Sequence, residues 1–462
     1  MNNLLRLSAT RQAQLIRERR LSSLELIDAH LERIAQINPQ INAAIEVFST
    51  QARAAARQAD ASPNPAAPLH GVPFSVKDSL EIAGFPCTAG TLGRRHTPPA
   101  TRDATLVNRL REAGGIPIAR TNLPDLLWSF ESDNLLYGAT RNPYDLSRTS
   151  GGSSGGEAAL IAACGSPLGL GSDAAGSVRL PAAFCGIAGI KPTTGRLPRT
   201  GHYPSDGGWI SHIWQIGPMA RRVEDLCTVM PLLARSDGID PTVVDMPFHD
   251  PTAVDLRPLR VAWYTNNGVV PATAEVAEVV RSAARALAGA TATVAEDRPA
   301  CLAHAYDLEM KIIGADGGDG FRAFAASLGS TQLHPLTNAW VEKFAAYRTD
   351  LAGFADYWHE WDAFRRGIAD FLRLYDVILC PAYTQPALPH GASILDENFR
   401  GFSHTMAYNV SGLPGAVVRC GTSATGLPIA VQIVAAPWRE DLALAVALRL
   451  ESEFGGWSEP AL

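Results

Sequence analysis

The sequence predicts an α/β protein with a single large domain, in which helices cover both faces of a central, twisted, mixed β-sheet. In the N-terminal part, a β-like run, a helix and a second strand follow one another, a succession typical of a sheet covered by helices. β character returns near the C-terminus after a mostly helical middle third, so the sheet should draw strands from both ends of the chain. With 46% hydrophobic and 19% charged residues among 462, the chain has the composition of a folded protein with a large core.

The predicted elements begin with an N-terminal helix. Ser22 and Glu25 have the spacing of a capping box before an apolar stretch over 26–34, and Pro39 should lie beyond the helix end. The later elements, in order, are a strand over 71–78, a helix over 105–112, strands over 116–119 and 260–264, helices over 275–288 and 351–373, strands over 377–380, 416–419 and 429–434, and a helix over 441–453.

One domain over 1–462 has three parts in this interpretation. The motif-rich core covers about 70–200, a variable and mostly helical region over about 235–370 should shape the substrate pocket, and the C-terminal strands return to the sheet over about 376–462. We find no internal repeat, and the part without motifs gives no indication of a particular ligand.

Composition and charge exclude several classes of function. A net charge of −6, spread along the chain, argues against a nucleic-acid partner, and no run of eighteen apolar residues could span a membrane. The seven cysteines form no Cys-x-x-Cys pair, and the first residues do not resemble a secretion signal, so we expect a cytoplasmic protein with reduced thiols. No cluster has zinc-site spacing, so neither a metal nor a cofactor is expected.

Two glycine-rich stretches, 149–157 and 171–181, contain the serines Ser153 and Ser177. Glycine lets the backbone approach a ligand closely, so a serine flanked by glycines can present its hydroxyl to a substrate. A flexible Gly/Ser linker is the alternative. The residues between the two stretches are apolar and require a core, which favours ordered active-site loops.

Several chemistries remain open for these serines. A phosphate-binding loop would need a Gly-Lys-Ser/Thr ending, and no lysine lies between Lys77 and Lys191. Residues 151–155 match the Gly-x-Ser-x-Gly elbow of α/β-hydrolase esterases, which also needs a histidine such as His390 or His404. Alternatively, a lysine made neutral by burial can serve as the base, and Lys77 follows an apolar run, although it could equally be an exposed strand-end lysine.

Five motifs in order resemble the amidase signature family: residues 71–78, 120–125, 148–157, 171–181 and 189–193. The segments Gly-Gly-Ser-Ser-Gly-Gly-Glu and Ser-Pro-Leu-Gly-Leu-Gly are similar to its fatty acid amide hydrolase branch. The likeness extends to the N-terminal helices and to residues 410–414 and 426–433, and it is weakest in the middle third.

The resemblance implies a catalytic triad. Its members would be Lys77, Ser153 as the serine held by a cis peptide bond, and Ser177 as the nucleophile. The oxyanion hole would consist of backbone N–H groups, those of Ala174, Ala175, Gly176 and Ser177. The family usually has glycine where this chain has Ala175, so a methyl group should intrude beside the oxyanion loop.

Further site residues are expected around this triad. Trp128 and Phe130 correspond to pocket residues of the resembling hydrolases and predict an apolar pocket, although core aromatic residues would look the same. Asp173 and Arg179 flank the nucleophile and should pair to fix its loop. The remaining residues assigned to substrate binding are Gly151 and Gly152.

The implied function is that of a serine hydrolase that cleaves C–N amide bonds through an acyl-enzyme. Aryl amides, carbamates (urethanes) and esters should be substrates as well. The alternatives are a glutamine-dependent amidotransferase subunit, which delivers ammonia together with companion subunits, and the esterase with a Gly-x-Ser-x-Gly elbow. The expected partner is a small-molecule substrate, and the chain should be a monomer or a homodimer.

Overall fold

The structure is a computed structural model that describes residues 2–205 and 208–462. The strands in this part are β1 (Ala44–Val47), β2 (Pro73–Lys77), β3 (Ile116–Thr121), β4 (Arg141–Asn142), β5 (Asp145–Thr149), β6 (Leu168–Asp173), β7 (Ala188–Lys191), β8 (Gln215–Ala220), β9 (Arg260–Trp263), β10 (Thr293–Glu296), β11 (Val377–Pro381), β12 (Gly415–Thr422) and β13 (Pro428–Ala435).

The helices of the described residues follow the same order. They are α1 (Asn2–Leu5), α2 (Ala9–Arg17), α3 (Ser23–Ile41), α4 (Ser49–Ala61), α5 (Thr105–Glu112), α6 (Gly155–Ala162), α7 (Arg179–Phe184), α8 (Val223–Leu233), α9 (Ala274–Leu287), α10 (Ala305–Gly314), α11 (Asp319–Ser327), α12 (Pro335–Lys343), α13 (Leu351–Phe371), α14 (Asp396–Phe399), α15 (Ser403–Val410) and α16 (Glu440–Phe454). None is long and apolar enough to cross a membrane.

Eleven of the described strands form one mixed sheet, in the order β1-β3-β2-β6-β8-β7-β12-β13-β11-β9-β10. Strand β2 pairs in parallel with both β3 and β6, whereas β12 joins β7 and β13 through antiparallel pairs. The C-terminal strands therefore lie beside the strands from the first half of the chain. The prediction of one α/β domain whose sheet draws strands from both ends is confirmed.

Side chains along each strand point alternately to the two faces of the sheet, so the core consists of one layer on each face. On β12, Ala416 and Val418 belong to a cluster with α5, α8, α9 and α16, whereas Val417 between them packs with α3, α6 and α7. Successive side chains of a strand point to opposite faces, so apolar residues at adjacent positions require helices on both sides. This requirement accounts for the helical cover on each face.

The predicted N-terminal helix is longer than expected. Ser22 caps α3 as predicted, but Pro39, expected beyond the helix end, lies inside it. A proline in a helix removes a backbone hydrogen bond and crowds the preceding turn. Here the helix continues because Ile37 and Ile41, on the buried face, gain apolar contacts on either side of Pro39, and α3 ends two residues later.

The middle third contains one strand more than the sequence indicated. Strand β10 pairs in parallel with β9 at the edge of the sheet. Its residues are exposed or only partly buried, so it lacks the apolar run by which a central strand is recognised. The predicted strand at 260–264, and the helices at 275–288 and 351–373, are confirmed within a few residues.

Candidate active site

The site forms where two neighbouring parallel strands end. Lys77 is the last residue of β2 and Asp173 the last residue of β6, preceded by Ser172. Because carboxyl ends of adjacent parallel strands meet at one edge of a sheet, these side chains approach each other. The Lys77 Nζ lies 3.0 Å from the Ser172 Oγ and 3.3 Å from the Ser172 carbonyl oxygen.

Ser153 lies on the loop that leads into α6, directly after a cis peptide bond between Gly152 and Ser153. A side chain on Gly152 would collide with backbone, since its Cβ would lie 2.6 Å from both the Glu131 nitrogen and the Ser129 carbonyl oxygen. Glycine is therefore required for this loop to pack closely. The loop places the Ser153 Oγ 2.7 Å from the Lys77 Nζ.

The Lys77 side chain has no exposed surface. Burial lowers its pKa from the usual value near 10.5 to about 7, although Asp173 and Glu157 oppose the shift. Burial also raises the pKa of Glu157 to about 8, and its carboxyl group is bound by Ser75 and Thr121. A substantial fraction of Lys77 is thus neutral near pH 7, and a neutral amine can accept a proton.

Ser177 lies on the loop that leaves β6, two residues before the start of α7. The Asp173 carboxylate holds this loop by accepting hydrogen bonds from the backbone N–H groups of Gly176, Val178 and Arg179. Gly176 has a φ of +123°, and a Cβ there would collide with the Thr405 side chain. A side chain at Gly176 would therefore displace the loop.

The amides of this loop differ in their hydrogen bonding. The Gly176 N–H binds Asp173, whereas the N–H groups of Ala174, Ala175 and Ser177 have no acceptor among the described residues. The Ser177 hydroxyl likewise has no partner in that part of the chain, including the Ser153 hydroxyl. Three amides and one hydroxyl are thus available to a ligand.

A buried ion pair holds the loop that contains Ser177 in place. The Arg179 Nη2 and Nε each lie 2.9 Å from an oxygen of Asp173, and both side chains are fully buried. Burial alone would raise the pKa of Asp173, but the charge and hydrogen bonds of Arg179 outweigh it and hold this pKa well below its usual range. Asp173 and Arg179, which flank the nucleophile, thus form a buried ion pair.

A cavity of about 360 Å³ opens above the two serines. It is lined mainly by apolar and aromatic side chains from the loops after β3 and β7 and from helices α10 to α12. Its lining includes Ser153, Ser177, Trp128, His202, Asp316 and Phe344. No lysine or arginine lines it among the described residues, and the Asp316 carboxylate accepts hydrogen bonds from the amides of Gly318 and Gly320.

Of the other residues predicted to bind substrate, only Trp128 lines the cavity. Trp128 lines the cavity and packs against Phe321, Trp340 and Phe344 with ring centroids 5.1–5.7 Å apart. Phe130 is 1% exposed and lies behind the wall, stacked on Phe402. Gly151 and Gly152 support the loop beneath Ser153 and are not among the lining residues.

Sequence reasoning missed several groups that shape the site. Ser172 lies within the second glycine-rich stretch, so its proximity to Lys77 could have been inferred from the strand ends. His202 binds the Ser172 Oγ through its Nε2, 3.0 Å away, and no motif pointed to it. Thr405 and Asn409 bind the nucleophile loop from about 230 residues further along the chain, a separation that no local pattern reveals.

The histidines proposed for the esterase alternative lie elsewhere. His404 is buried with its Nε2 3.0 Å from the Val270 carbonyl oxygen, and the His390 Nδ1 lies 3.9 Å from Glu131. Within residues 2–205 and 208–462, the hydrogen-bond partner of the Ser153 hydroxyl is Lys77. The same residues contain no cluster of metal-ligating side chains.

Comparisons with known proteins agree with this geometry. A sequence model of the Amidase family matches residues 25–444. Fatty-acid amide hydrolase 2 of Homo sapiens is 32% identical over 99% of this chain and 91% of its own length. A glutamyl-tRNA(Gln) amidotransferase subunit from Roseiflexus castenholzii is 34% identical over 96% and 95%, respectively. The solved structure of 6-aminohexanoate cyclic dimer hydrolase has a TM-score of 0.87 and 28% identity, covering 99% of both chains.

The chain belongs to the amidase family. The resemblance that the sequence motifs indicated is confirmed, and the family model covers most of the chain. The protein is therefore an amidase, a hydrolase that acts on carbon–nitrogen bonds other than peptide bonds.

Removing one partner of the buried ion pair should strongly destabilise the protein. Asp173→Ala leaves the Arg179 charge buried without its counterion, and we expect the free energy of unfolding to fall by about 3–5 kcal/mol in urea denaturation. Asp255→Ala is the matched control, because Asp255 pairs with Arg257 on the exposed surface. That variant should keep the wild-type urea midpoint. Equal midpoints for the two variants would show that the buried pair does not hold the loop.

Proposed function

We propose that this amidase is a serine hydrolase in which Ser177 attacks the substrate carbonyl and Lys77 is the base, acting through Ser153. The observation that carries the proposal is the 2.7 Å distance between the Lys77 Nζ and the Ser153 Oγ, with Ser153 and Ser177 on the wall of one cavity. An amine with a pKa of about 7 can take a proton from a hydroxyl near neutral pH.

Proton transfers in the acylation step balance. Neutral Lys77 takes the Ser153 proton, Ser153 takes the Ser177 proton, and the Ser177 oxygen forms a bond to the carbonyl carbon. The resulting tetrahedral intermediate collapses as its C–N bond breaks. The proton returns from Lys77 through Ser153 to the nitrogen, so that an amine leaves rather than an amide anion. Water then hydrolyses the acyl-enzyme by the same transfers.

The negative oxygen of the intermediate requires hydrogen-bond donors. Among residues 174–177, the amides of Ala174, Ala175 and Ser177 are available, whereas that of Gly176 already binds Asp173. We therefore assign the oxyanion hole to the three available amides and a positioning role to Gly176. Loss of one such donor costs about 3–4 kcal/mol of transition-state stabilisation. The Ala175 methyl group removes no donor. The Ala175 carbonyl oxygen accepts a hydrogen bond from the Thr405 Oγ1, which helps to fix the peptide group between Ala175 and Gly176.

The cavity favours an apolar acyl or aryl substrate. Its wall around Trp128 is aromatic, and the described lining contains no lysine or arginine side chain to pair with a carboxylate. Burying an unpaired charge is unfavourable. Esters and carbamates share the carbonyl that Ser177 attacks, and an alcohol leaves more easily than an amine. We therefore propose activity on aryl amides, carbamates and esters.

An amidotransferase component is the second candidate, because such a protein is among the relatives. Glutamine, the ammonia source of that role, carries an α-carboxylate and an α-amino group. The absence of a cation on the described cavity wall disfavours glutamine as the substrate. We further propose that the enzyme needs no cofactor, acts as a monomer or homodimer, and functions in the cytoplasm, where cysteines without disulfides are expected.

Ser177 should react covalently with serine-hydrolase reagents. A fluorophosphonate should add its mass to the peptide that contains Ser177, and Ser177→Ala should abolish both labelling and amide hydrolysis. Peptide mass spectrometry of the labelled protein locates the adduct. An adduct on Ser153, together with an active Ser177→Ala variant, would instead support the esterase with a Gly-x-Ser-x-Gly elbow.

Activity should depend on deprotonation of Lys77. Because the neutral amine is the base and its pKa is about 7, kcat/KM should be low below this pH, rise through it and stay high at alkaline pH. Lys77→Ala should lower kcat by about 10²–10⁴-fold, the usual contribution of a general base.

Lys191 provides the matched control for this pH dependence. It is also fully buried with a pKa of about 7, but its Nζ binds the Pro192 carbonyl oxygen instead of a serine. Lys191→Ala, compared as folded protein by circular dichroism, should keep the rise in rate near pH 7. Loss of this rise in Lys191→Ala, but not in Lys77→Ala, would show that Lys191 rather than Lys77 controls the reaction.

Substrate preference should follow the apolar cavity. Values of kcat/KM for 4-nitroacetanilide and an aryl carbamate should exceed that for glutamine by at least about 100-fold, since an unpaired buried polar group costs about 1–3 kcal/mol and a charged group costs more. An ester such as 4-nitrophenyl acetate should also be cleaved. Steady-state kinetics on the purified chain measure all four rates, and a faster reaction with glutamine would favour the amidotransferase role.

A further inference from the structure

We propose that His202 is a positioning residue that acts through Ser172 to direct the lone pair of neutral Lys77 at Ser153. This inference rests on the proposed function, in which Lys77 is the base. It adds two residues to the proton-transfer system, neither of which belongs to the triad implied by the sequence motifs.

The residues form a continuous hydrogen-bonded chain. The His202 Nδ1 lies 3.0 Å from the Pro204 carbonyl oxygen, and its Nε2 lies 3.0 Å from the Ser172 Oγ. The same Oγ lies 3.0 Å from the Lys77 Nζ, which in turn lies 2.7 Å from the Ser153 Oγ. Ser172 and Lys77 are almost fully buried, and His202 is 5% exposed.

The chemistry of each group fixes the direction of these hydrogen bonds. A carbonyl oxygen only accepts, so the Nδ1 of His202 must carry the hydrogen that binds Pro204. In the neutral ring, the Nε2 is then the acceptor, and the Ser172 hydroxyl must donate to it. Since a hydroxyl has a single hydrogen, the Ser172 Oγ can only accept from Lys77.

Lys77 is left with one productive arrangement. A neutral amine has two hydrogens and one lone pair. Its hydrogens bind the two oxygen atoms of Ser172, the Oγ at 3.0 Å and the carbonyl oxygen at 3.3 Å. The lone pair is therefore the group that meets the Ser153 hydroxyl, which is the geometry required for proton transfer from Ser153.

The surroundings keep His202 neutral and its ring in place. Burial, with smaller contributions from the positive charges of Lys77 and Arg199, lowers its pKa to about 3, while the Pro204 hydrogen bond opposes the shift. The ring packs against Trp214 at 4.6 Å, and the Arg199 guanidinium lies over the same indole at 4.7 Å. His202 thus keeps one protonation state while Lys77 titrates.

Without an acceptor at position 202, the Ser172 hydroxyl would be free to rotate. It could then donate its hydrogen to the Lys77 lone pair and compete with Ser153. The amine would remain in place but would point its lone pair at a hydroxyl that leads to no substrate. Loss of the His202 acceptor should therefore lower kcat through misdirection of the base rather than through loss of the fold.

Four single variants test this inference. His202→Leu removes the acceptor, and His202→Asn keeps an amide too short to reach Ser172; each should lower kcat about 10- to 30-fold, as expected for loss of one oriented hydrogen bond. His202→Gln places an amide oxygen near the position of the Nε2 and should retain at least about a third of wild-type kcat. Ser172→Ala removes the Oγ that accepts one hydrogen of Lys77, so the amine is less firmly oriented and kcat should also fall.

A double variant separates positioning from structural support. Since His202 acts through Ser172, Ser172→Ala with His202→Leu should be no slower than Ser172→Ala alone. Additive losses, a wild-type rate in His202→Leu or His202→Asn, or a His202→Gln variant as slow as His202→Asn, would each overturn the inference. Variants are compared only as folded proteins, by thermal unfolding, and Ser172→Ala and His202→Asn keep the test available if His202→Leu does not fold.

Failure of this inference is distinguishable from failure of the proposed function. If Ser177→Ala and Lys77→Ala are inactive while the His202 variants are unaffected, the triad stands and the positioning role is wrong. If Lys77→Ala retains wild-type activity, the base itself has been misassigned, and the positioning role fails with it.

Discussion

The burial of the Lys77 side chain is the constraint on which the site depends. Burial favours a neutral amine, whereas a nearby carboxylate would restore the charge. Two buried carboxyl groups lie close enough to act in this way, but each is engaged elsewhere. Asp173 binds Arg179 and three loop amides, and Glu157 is bound by Ser75 and Thr121 with its pKa raised by burial. The hydrogen-bond partners of Lys77 are hydroxyl and carbonyl groups. These neutral groups can orient the amine but do not favour its protonated form as a carboxylate would.

The ion pair between Asp173 and Arg179 connects this strand end to the other half of the chain. Arg179 also donates hydrogen bonds to the Thr405 carbonyl oxygen and to the Gln432 Oε1, and Asn409 donates to Asp173. The nucleophile loop is thus held by α15 and β13, which follow it by more than 200 residues. This dependence gives a physical reason for C-terminal strands that return to the centre of the sheet. A loop in which three amides have no acceptor among the described residues needs such support, because those amides do not stabilise it themselves.

Local patterns and motifs made much of the structure predictable. The capping box at Ser22, the strand that ends at Lys77 and the two glycine-rich loops each have a short-range signature, and the structure contains all of them. The error at Pro39 arose because tertiary burial of Ile37 and Ile41 outweighed a local helix-breaking preference. His202 was not predictable, since a lone histidine has no signature until the fold brings it to Ser172. Phe130 and Trp128 looked alike in sequence, and only packing separates the one behind the cavity wall from the one that forms it.

The proposed mechanism requires a neutral Lys77 whose lone pair meets the Ser153 hydroxyl. Neutron diffraction from deuterium-exchanged crystals at about pD 9, some two units above the Lys77 pKa of about 7, observes these hydrogens directly. We expect two deuterium atoms on the Lys77 Nζ, directed at the two oxygen atoms of Ser172, and the Ser153 deuterium directed at the Nζ. Three deuterium atoms on the Nζ at that pD would show a charged lysine that cannot be the base.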